Sequence, residues 1–234
     1  MLGAEGIYVV ADGMGGHAAG EVASGIAIEE IVAALRESSA GAARRDQVAD
    51  ALQRANQRIL AEADREPERS GMGTTATLLW VDPGSDHYII GHVGDSRAYR
   101  LRDHVLKLLT RDHTWVQLEV DSGRLSPDQA RRHPYSSVLL QALGVEEAVT
   151  PDVFEDSAAP GDLFLLCSDG LTATMTDPQL KRILERLADA SPPVLVRELI
   201  REANQHGAPD NVTVIAIRVI GDVEVDAPSE VAAA

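Results

Sequence analysis

Four apolar runs, far apart in the chain, each meet an aspartate at one end. Ile7-Tyr8-Val9-Val10-Ala11 runs into Asp12-Gly13, and the run from Tyr88 to Gly94 into Asp95-Ser96. Leu163 to Ser168 leads to Asp169-Gly170, and Asp210-Asn211 opens Val212 to Ile217. Runs that are apolar on both faces form buried strands. A carboxylate at the end of a buried strand is held rigidly near the core. Several such carboxylates brought together repel and lose hydration, so they need a compensating cation. Oxygen-only ligands select Mg²⁺ or Mn²⁺ over Zn²⁺. The pattern points to a metal site built from strand ends, and to metal-assisted hydrolysis.

Composition narrows the choice. The 234 residues suit one large domain or two small ones, and aromatic residues at 3% leave a core of Leu, Val, Ile and Ala. A formal net charge of -16 argues against a nucleic-acid surface and against binding to anionic membranes. The single cysteine, Cys167, has no partner for an internal disulfide and reads as a small buried hydrophobe. Cysteine phosphatase chemistry needs an arginine where Ala173 stands. No apolar run reaches the ~20 residues of a membrane span, and the start lacks the basic segment of a signal peptide. A cytoplasmic protein is expected.

Periodicity predicts helices at about 18–36 and 46–64, with Val48, Ala51, Leu52, Ala55 and Ile59 on one side of the second. Strands follow at 74–81, 88–94, 97–102 and 105–110, with a turn at Asp82-Pro83-Gly84-Ser85. Their short links predict antiparallel pairing of neighbours. The polar segment 112–143 reads as a flap, with a helix start at Ser126-Pro127. Strands resume at 149–155 and 162–168. Helices open at Asp177-Pro178 and Ser191-Pro192, the latter with Val196, Leu199, Ile200 and Ala203 inward, and a last strand spans 212–219. The fold class is α+β: two packed antiparallel sheets flanked by helices, an αββα sandwich. Residues 1–221 form one domain, and 222–234 a flexible acidic, alanine-rich tail.

Six segments occur in order: Ala11-Asp12-Gly13-Met14-Gly15-Gly16-His17, Gly71-Met72-Gly73-Thr74-Thr75, Gly94-Asp95-Ser96-Arg97, Leu109-Thr110-Arg111-Asp112-His113, Cys167-Ser168-Asp169-Gly170-Leu171 and Pro209-Asp210-Asn211-Val212-Thr213. Together they resemble the bacterial form of the metal-dependent type 2C protein phosphatases, over Ile7 to Val219. The resemblance implies hydrolysis of phosphoserine and phosphothreonine on proteins that a serine/threonine kinase has modified. It implies two Mn²⁺ or Mg²⁺ ions and a third, weaker one. Asp12 would bridge two ions, with the Gly13 carbonyl on one of them, and Asp169 and Asp210 would complete the second. Asp95 with Asp169 would hold the third, with Ser137 in the flap as a further ligand.

Each residue has a plainer reading. Asp12 or Asp169 alone is a turn residue or helix cap. Asp95 could close its own turn or pair with Arg97, and Arg97 reads as structural. The glycines Gly13, Gly15 and Gly16 lack the Gly-Lys-Ser/Thr ending of a nucleotide loop and serve a sharp bend at the metal. His17 either donates a proton to the leaving group or packs and caps; type 2C phosphatases of eukaryotes place a histidine where Met14 stands. His113 and His133 read as surface polar residues. The family also opens with a strand whose arginine binds substrate phosphate, followed by Asn-Glu-Asp or Asn-Gln-Asp. No arginine precedes Arg36 here, so that strand and arginine are expected to be missing. A weakly active or inactive phosphoprotein-binding module on the same fold is the alternative function, and a small-molecule or anti-sigma-factor phosphatase is a third.

Overall fold

The computed structural model describes residues 6–37, 43–81 and 86–221. Its strands are β1 (Ile7–Val10), β2 (Gly13–Met14), β3 (Gly73–Thr74), β4 (Ala76–Val81), β5 (His87–Val93), β6 (Arg97–Arg102), β7 (Val105–Leu108), β8 (Asp152–Ser157), β9 (Leu163–Cys167) and β10 (Val214–Arg218). Its helices are α1 (His17–Glu37), α2 (Arg44–Arg65), α3 (Trp115–Asp121), α4 (Pro127–Arg131), α5 (Asp169–Thr174), α6 (Asp177–Arg186) and α7 (Pro192–Gln205). Two four-stranded antiparallel sheets, ordered β1-β4-β5-β8 and β10-β9-β6-β7, carry the fold, and β2 pairs with β3 in a small ribbon.

Three apolar layers follow from the period-2 alternation of strands that are apolar on both faces. In β9, Leu163, Leu165 and Cys167 face α6 and α7, where Leu180, Leu184, Leu195 and Leu199 meet them. The alternate residues Phe164 and Leu166 face the first sheet and pack with Val10, Leu79, Tyr88 and Ile90. On the far side of that sheet, Leu78, Ile89 and Val93 meet Ala27 and Ile31 of α1 and Val48, Leu52 and Ile59 of α2. Each fully buried Leu or Ile contributes about 1.5–3 kcal/mol, so the helices are held by packing more than by propensity. The expected αββα sandwich is what is observed.

Local signals place the later helices. Ser126 and Gln129 form a capping box at α4, and Thr176 with Gln179 another at α6, each followed by proline. Ser191 is the cap position of α7, whose buried face runs through Leu195, Leu199 and Ala203; Val196 and Ile200 are half-buried at its border. The 112–143 segment is anchored at both roots. The His113 N–H donates to Gly94 O at 2.7 Å, and the Leu143 N–H to Thr74 O at 2.9 Å.

Two expectations change. Consecutive β5 and β6 do not pair; they belong to different sheets. Both edges of β5 are taken, by β4 and β8, so the chain leaves the first sheet through Gly94 and enters the second. The six-residue helix α5 also stands where only a strand end was expected, because one turn and a half leaves no periodic apolar signature. The Asp82–Ser85 turn and the tail beyond Gly221 lie outside the described residues. Among the described residues no helix is long and apolar enough to cross a membrane.

Candidate active site

Asp12 leaves β1 with its backbone saturated. Its N–H donates to Thr75 Oγ1 at 3.0 Å, and its carbonyl accepts from the Thr75 N–H and from Thr74 Oγ1, both at 2.9 Å. With the main chain occupied, the side chain alone is left to act. Gly13 follows in β2, where a Cβ would stand 1.9 Å from Gly20 O of α1. Only glycine allows the bend to approach the helix this closely. His17 is the first residue of α1; its side chain lies outside the described residues.

Asp95 sits on the link between sheets. Gly94 before it has φ +107°, and a Cβ there would lie 2.6 Å from Thr75 Cγ2. Ser96 after it is buried, its Oγ 2.8 Å from Thr75 Oγ1 and its carbonyl accepting from Thr77 Oγ1 at 2.8 Å. Thr75 therefore touches the Asp12 and the Asp95 turns at once. Arg97 pairs bidentately with Asp112, at 2.9 and 2.7 Å, rather than with Asp95.

Asp169 opens α5, its Oδ1 buried with no hydrogen-bond partner. The Asp210 loop is stitched alongside. Ser168 Oγ accepts from the Thr213 N–H at 3.1 Å and donates to Asn211 O at 3.3 Å, and a Cβ on Gly170 would stand 2.1 Å from Asn211 O. Asp210 is exposed, with Oδ1 accepting from the Asn211 N–H at 2.7 Å.

Electrostatics tie the four together. Burial pushes the Asp12 carboxyl up to about 7, reinforced by the charge of Asp169, a hydrogen bond shared with it, and the charge of Asp210. Burial likewise raises Asp95 to about 7, with Asp169, Asp112 and Asp12 adding to the effect and Arg97 opposing it. Asp169 is also raised, first by burial. Asp12 thus lies in the field of Asp169 and Asp210, and Asp95 in the field of Asp12 and Asp169. Ser137 is exposed on the flap. Cys167 is buried and its thiol pushed up to about 12, which makes it inert.

The donor set suits a hard cation. Among the described residues no three His, Cys, Asp or Glu side chains are gathered tightly enough to enclose an ion on their own. Mg²⁺-like ions do not need that, since they keep several waters and take one or two carboxylates. The unpartnered Asp169 Oδ1, in the field of an Asp12 carboxyl raised to about 7, is the acceptor such an ion would satisfy. By contrast, an open groove of about 410 Å³ between α6 and α7 has Arg186 and Arg201 already paired with Glu198.

His113 departs from expectation. It is 5% exposed rather than a surface residue, and it touches Gly94 beside Asp95. His133 packs against Trp115 and Tyr135 in the flap.

An α+β sandwich of two antiparallel sheets with aspartates at the strand ends of both defines the class of scaffold, and comparison with known proteins gives the family. The chain matches the protein phosphatase 2C family model over residues 2–202 and belongs to that family. It is 40% identical over 214 residues to the serine/threonine protein phosphatase PstP of Mycobacterium tuberculosis, covering 92% of this chain and 40% of that protein. It is 38% identical to the serine/threonine phosphatase stp of Listeria monocytogenes, covering 90% of this chain and 83% of that protein. The chain therefore spans two fifths of the mycobacterial relative's length and most of the listerial one's. Among solved structures, the catalytic domain of PstP in complex with two manganese ions superposes with a TM-score of 0.79 at 37% identity, covering 92% of this chain and 88% of that one.

The Gly170–Asn211 approach yields a direct test. Gly170→Ala forces the Asp169 helix away from the Asp210 loop, and overpacking of this kind costs about 1–3 kcal/mol. Urea denaturation should show that loss. An unchanged midpoint would mean the two loops are not held in contact.

Proposed function

We propose that the chain is a metal-dependent protein phosphatase acting on phosphoserine and phosphothreonine. In this reading Asp12, the Gly13 carbonyl, Asp169 and Asp210 hold two Mn²⁺ or Mg²⁺ ions, and Asp95 with Asp169 a weaker third. The single observation that carries it is the buried, unpartnered Asp169 oxygen in the field of Asp12, whose carboxyl is raised by burial to about 7. The manganese-bound mycobacterial relative supports the choice of ion. When bound, such ions supply a nucleophilic water at neutral pH and neutralise charge on the phosphoryl group.

The chain's own residues do the rest. Asp12 gives up its proton and offers its carboxylate, with Asp169 nearby, to the ions. Thr75 and Ser96 hold the Asp12 and Asp95 turns at fixed separation, so the carboxylates need not reorganise during reaction. His17, at the start of α1, is the proposed donor to the departing serine or threonine oxygen. The flap, residues 112–143, selects the phosphoprotein, which a cytoplasmic serine/threonine kinase supplies.

Hydrolysis of p-nitrophenyl phosphate should need Mn²⁺ and fall by about a hundredfold or more in Asp169→Ala, since even residues behind metal ligands commonly cost 10–100-fold. Folded protein without Mn²⁺-stimulated turnover would favour a phosphoprotein-binding module instead.

The raised carboxyls also set a pH dependence. Asp12 and Asp95 keep protons up to about pH 7 in the metal-free native chain but lose them near 3.8 when unfolded. The native state binds more protons in that interval, so their contribution is full below pH 3.8 and lost as pH rises past 7. In EDTA the chain should be less stable at pH 8 than at pH 5, and Mn²⁺ should restore stability at pH 8. Chemical denaturation with Asp12→Asn as control reads this out; a pH response identical in both chains would contradict it.

A further inference from the structure

The geometry points to His113 as a positioning residue that aims the Asp95 carboxylate through Gly94. The inference rests on the metal-site reading above and goes beyond it to a residue outside the ligand set. Asp95 lies partly out of water and in the field of Asp169, Asp112 and Asp12, so repulsion favours swinging it away. It hangs on Gly94, whose φ of +107° is a conformation that glycine enters cheaply and leaves as cheaply. His113 removes that freedom by holding both polar groups of Gly94. The His113 N–H donates to Gly94 O at 2.7 Å, and the Gly94 N–H donates to His113 Nδ1 at 3.3 Å.

The imidazole is itself fixed. With Nδ1 accepting, Nε2 carries the proton and donates to Asp152 Oδ2 of β8 at 3.3 Å. Its ring packs 4.8 Å from that of His92, which is fully buried between Thr77 Oγ1 and the Arg111 carbonyl. The first sheet thus orients His113, and His113 orients the turn that carries Asp95.

Two substitutions separate positioning from mere packing. Asn at 113 can place an oxygen near the Nδ1 position and keep the Gly94 contact, whereas Gln can reach Asp152 but loses that contact. Both keep the backbone bond to Gly94. Mn²⁺ binding to the folded full chain is measured by calorimetry, with Asp95→Asn defining which sites depend on Asp95. His113→Gln should weaken those sites about tenfold while His113→Asn stays near the native value, in line with the 10–100-fold typical of groups supporting ligands. Thermal midpoints recorded alongside should fall similarly in both. Equal Mn²⁺ affinity in His113→Gln and the native chain, or equal weakening in both variants, would overturn the assignment. A native chain that binds no Mn²⁺ would sink the metal reading itself, and this inference with it.

Discussion

Asp12, Asp95 and Asp169 stand partly out of water within one another's field, and that repulsion sets the terms for everything around them. Burial first, and then the neighbouring carboxylates, raise Asp12 and Asp95 to about 7, so without an ion the site keeps protons there. A buried Asp169 oxygen stands without a partner. A hard dication answers both problems, since it replaces the proton and fills the empty acceptor.

The fold spends its local rules on keeping these groups from drifting apart. Gly13 lets the Asp12 bend lie against Gly20, and Gly170 lets the Asp169 helix lie against Asn211. Buried hydroxyls bridge what the two sheets leave separate, with Thr75 joined to the Asp12 backbone on one side and Ser96 on the other. Unpaired hydroxyls in such a place would be costly, so each acts as a specific joint. The three apolar layers supply the rigidity behind them: a carboxylate at the end of a fully buried strand such as β9 cannot retreat without disturbing Phe164 and Leu166.

Much of this was legible in the sequence because strand-end aspartates and doubly apolar runs are local signals. The apolar residues of the buried face of α2 were read correctly, since 3.6-residue periodicity is decided within the helix itself, but Asn56, buried among them, was not, because its partners Gly144 and Glu146 are distant in sequence. The sheet assignment of β6 was not legible. Whether a short link closes a hairpin or crosses between sheets depends on which edges of β5 are already taken, by β4 and β8. His113 was missed for a related reason. Its partners Gly94 and Asp152 are distant in sequence, and a histidine in a polar segment carries no local sign of burial. Arg97 pairs with Asp112, a partner that could be named only once the fold had brought them together.

The central claim is that these carboxylates converge to hold hard cations. The most direct test is anomalous scattering at the manganese edge from crystals grown with Mn²⁺. The account predicts peaks in the crevice bounded by Asp12, Asp169 and Asp210, with a further, weaker peak beside Asp95. Manganese bound only elsewhere on the surface, with no peak near Asp12 and Asp169, would contradict it.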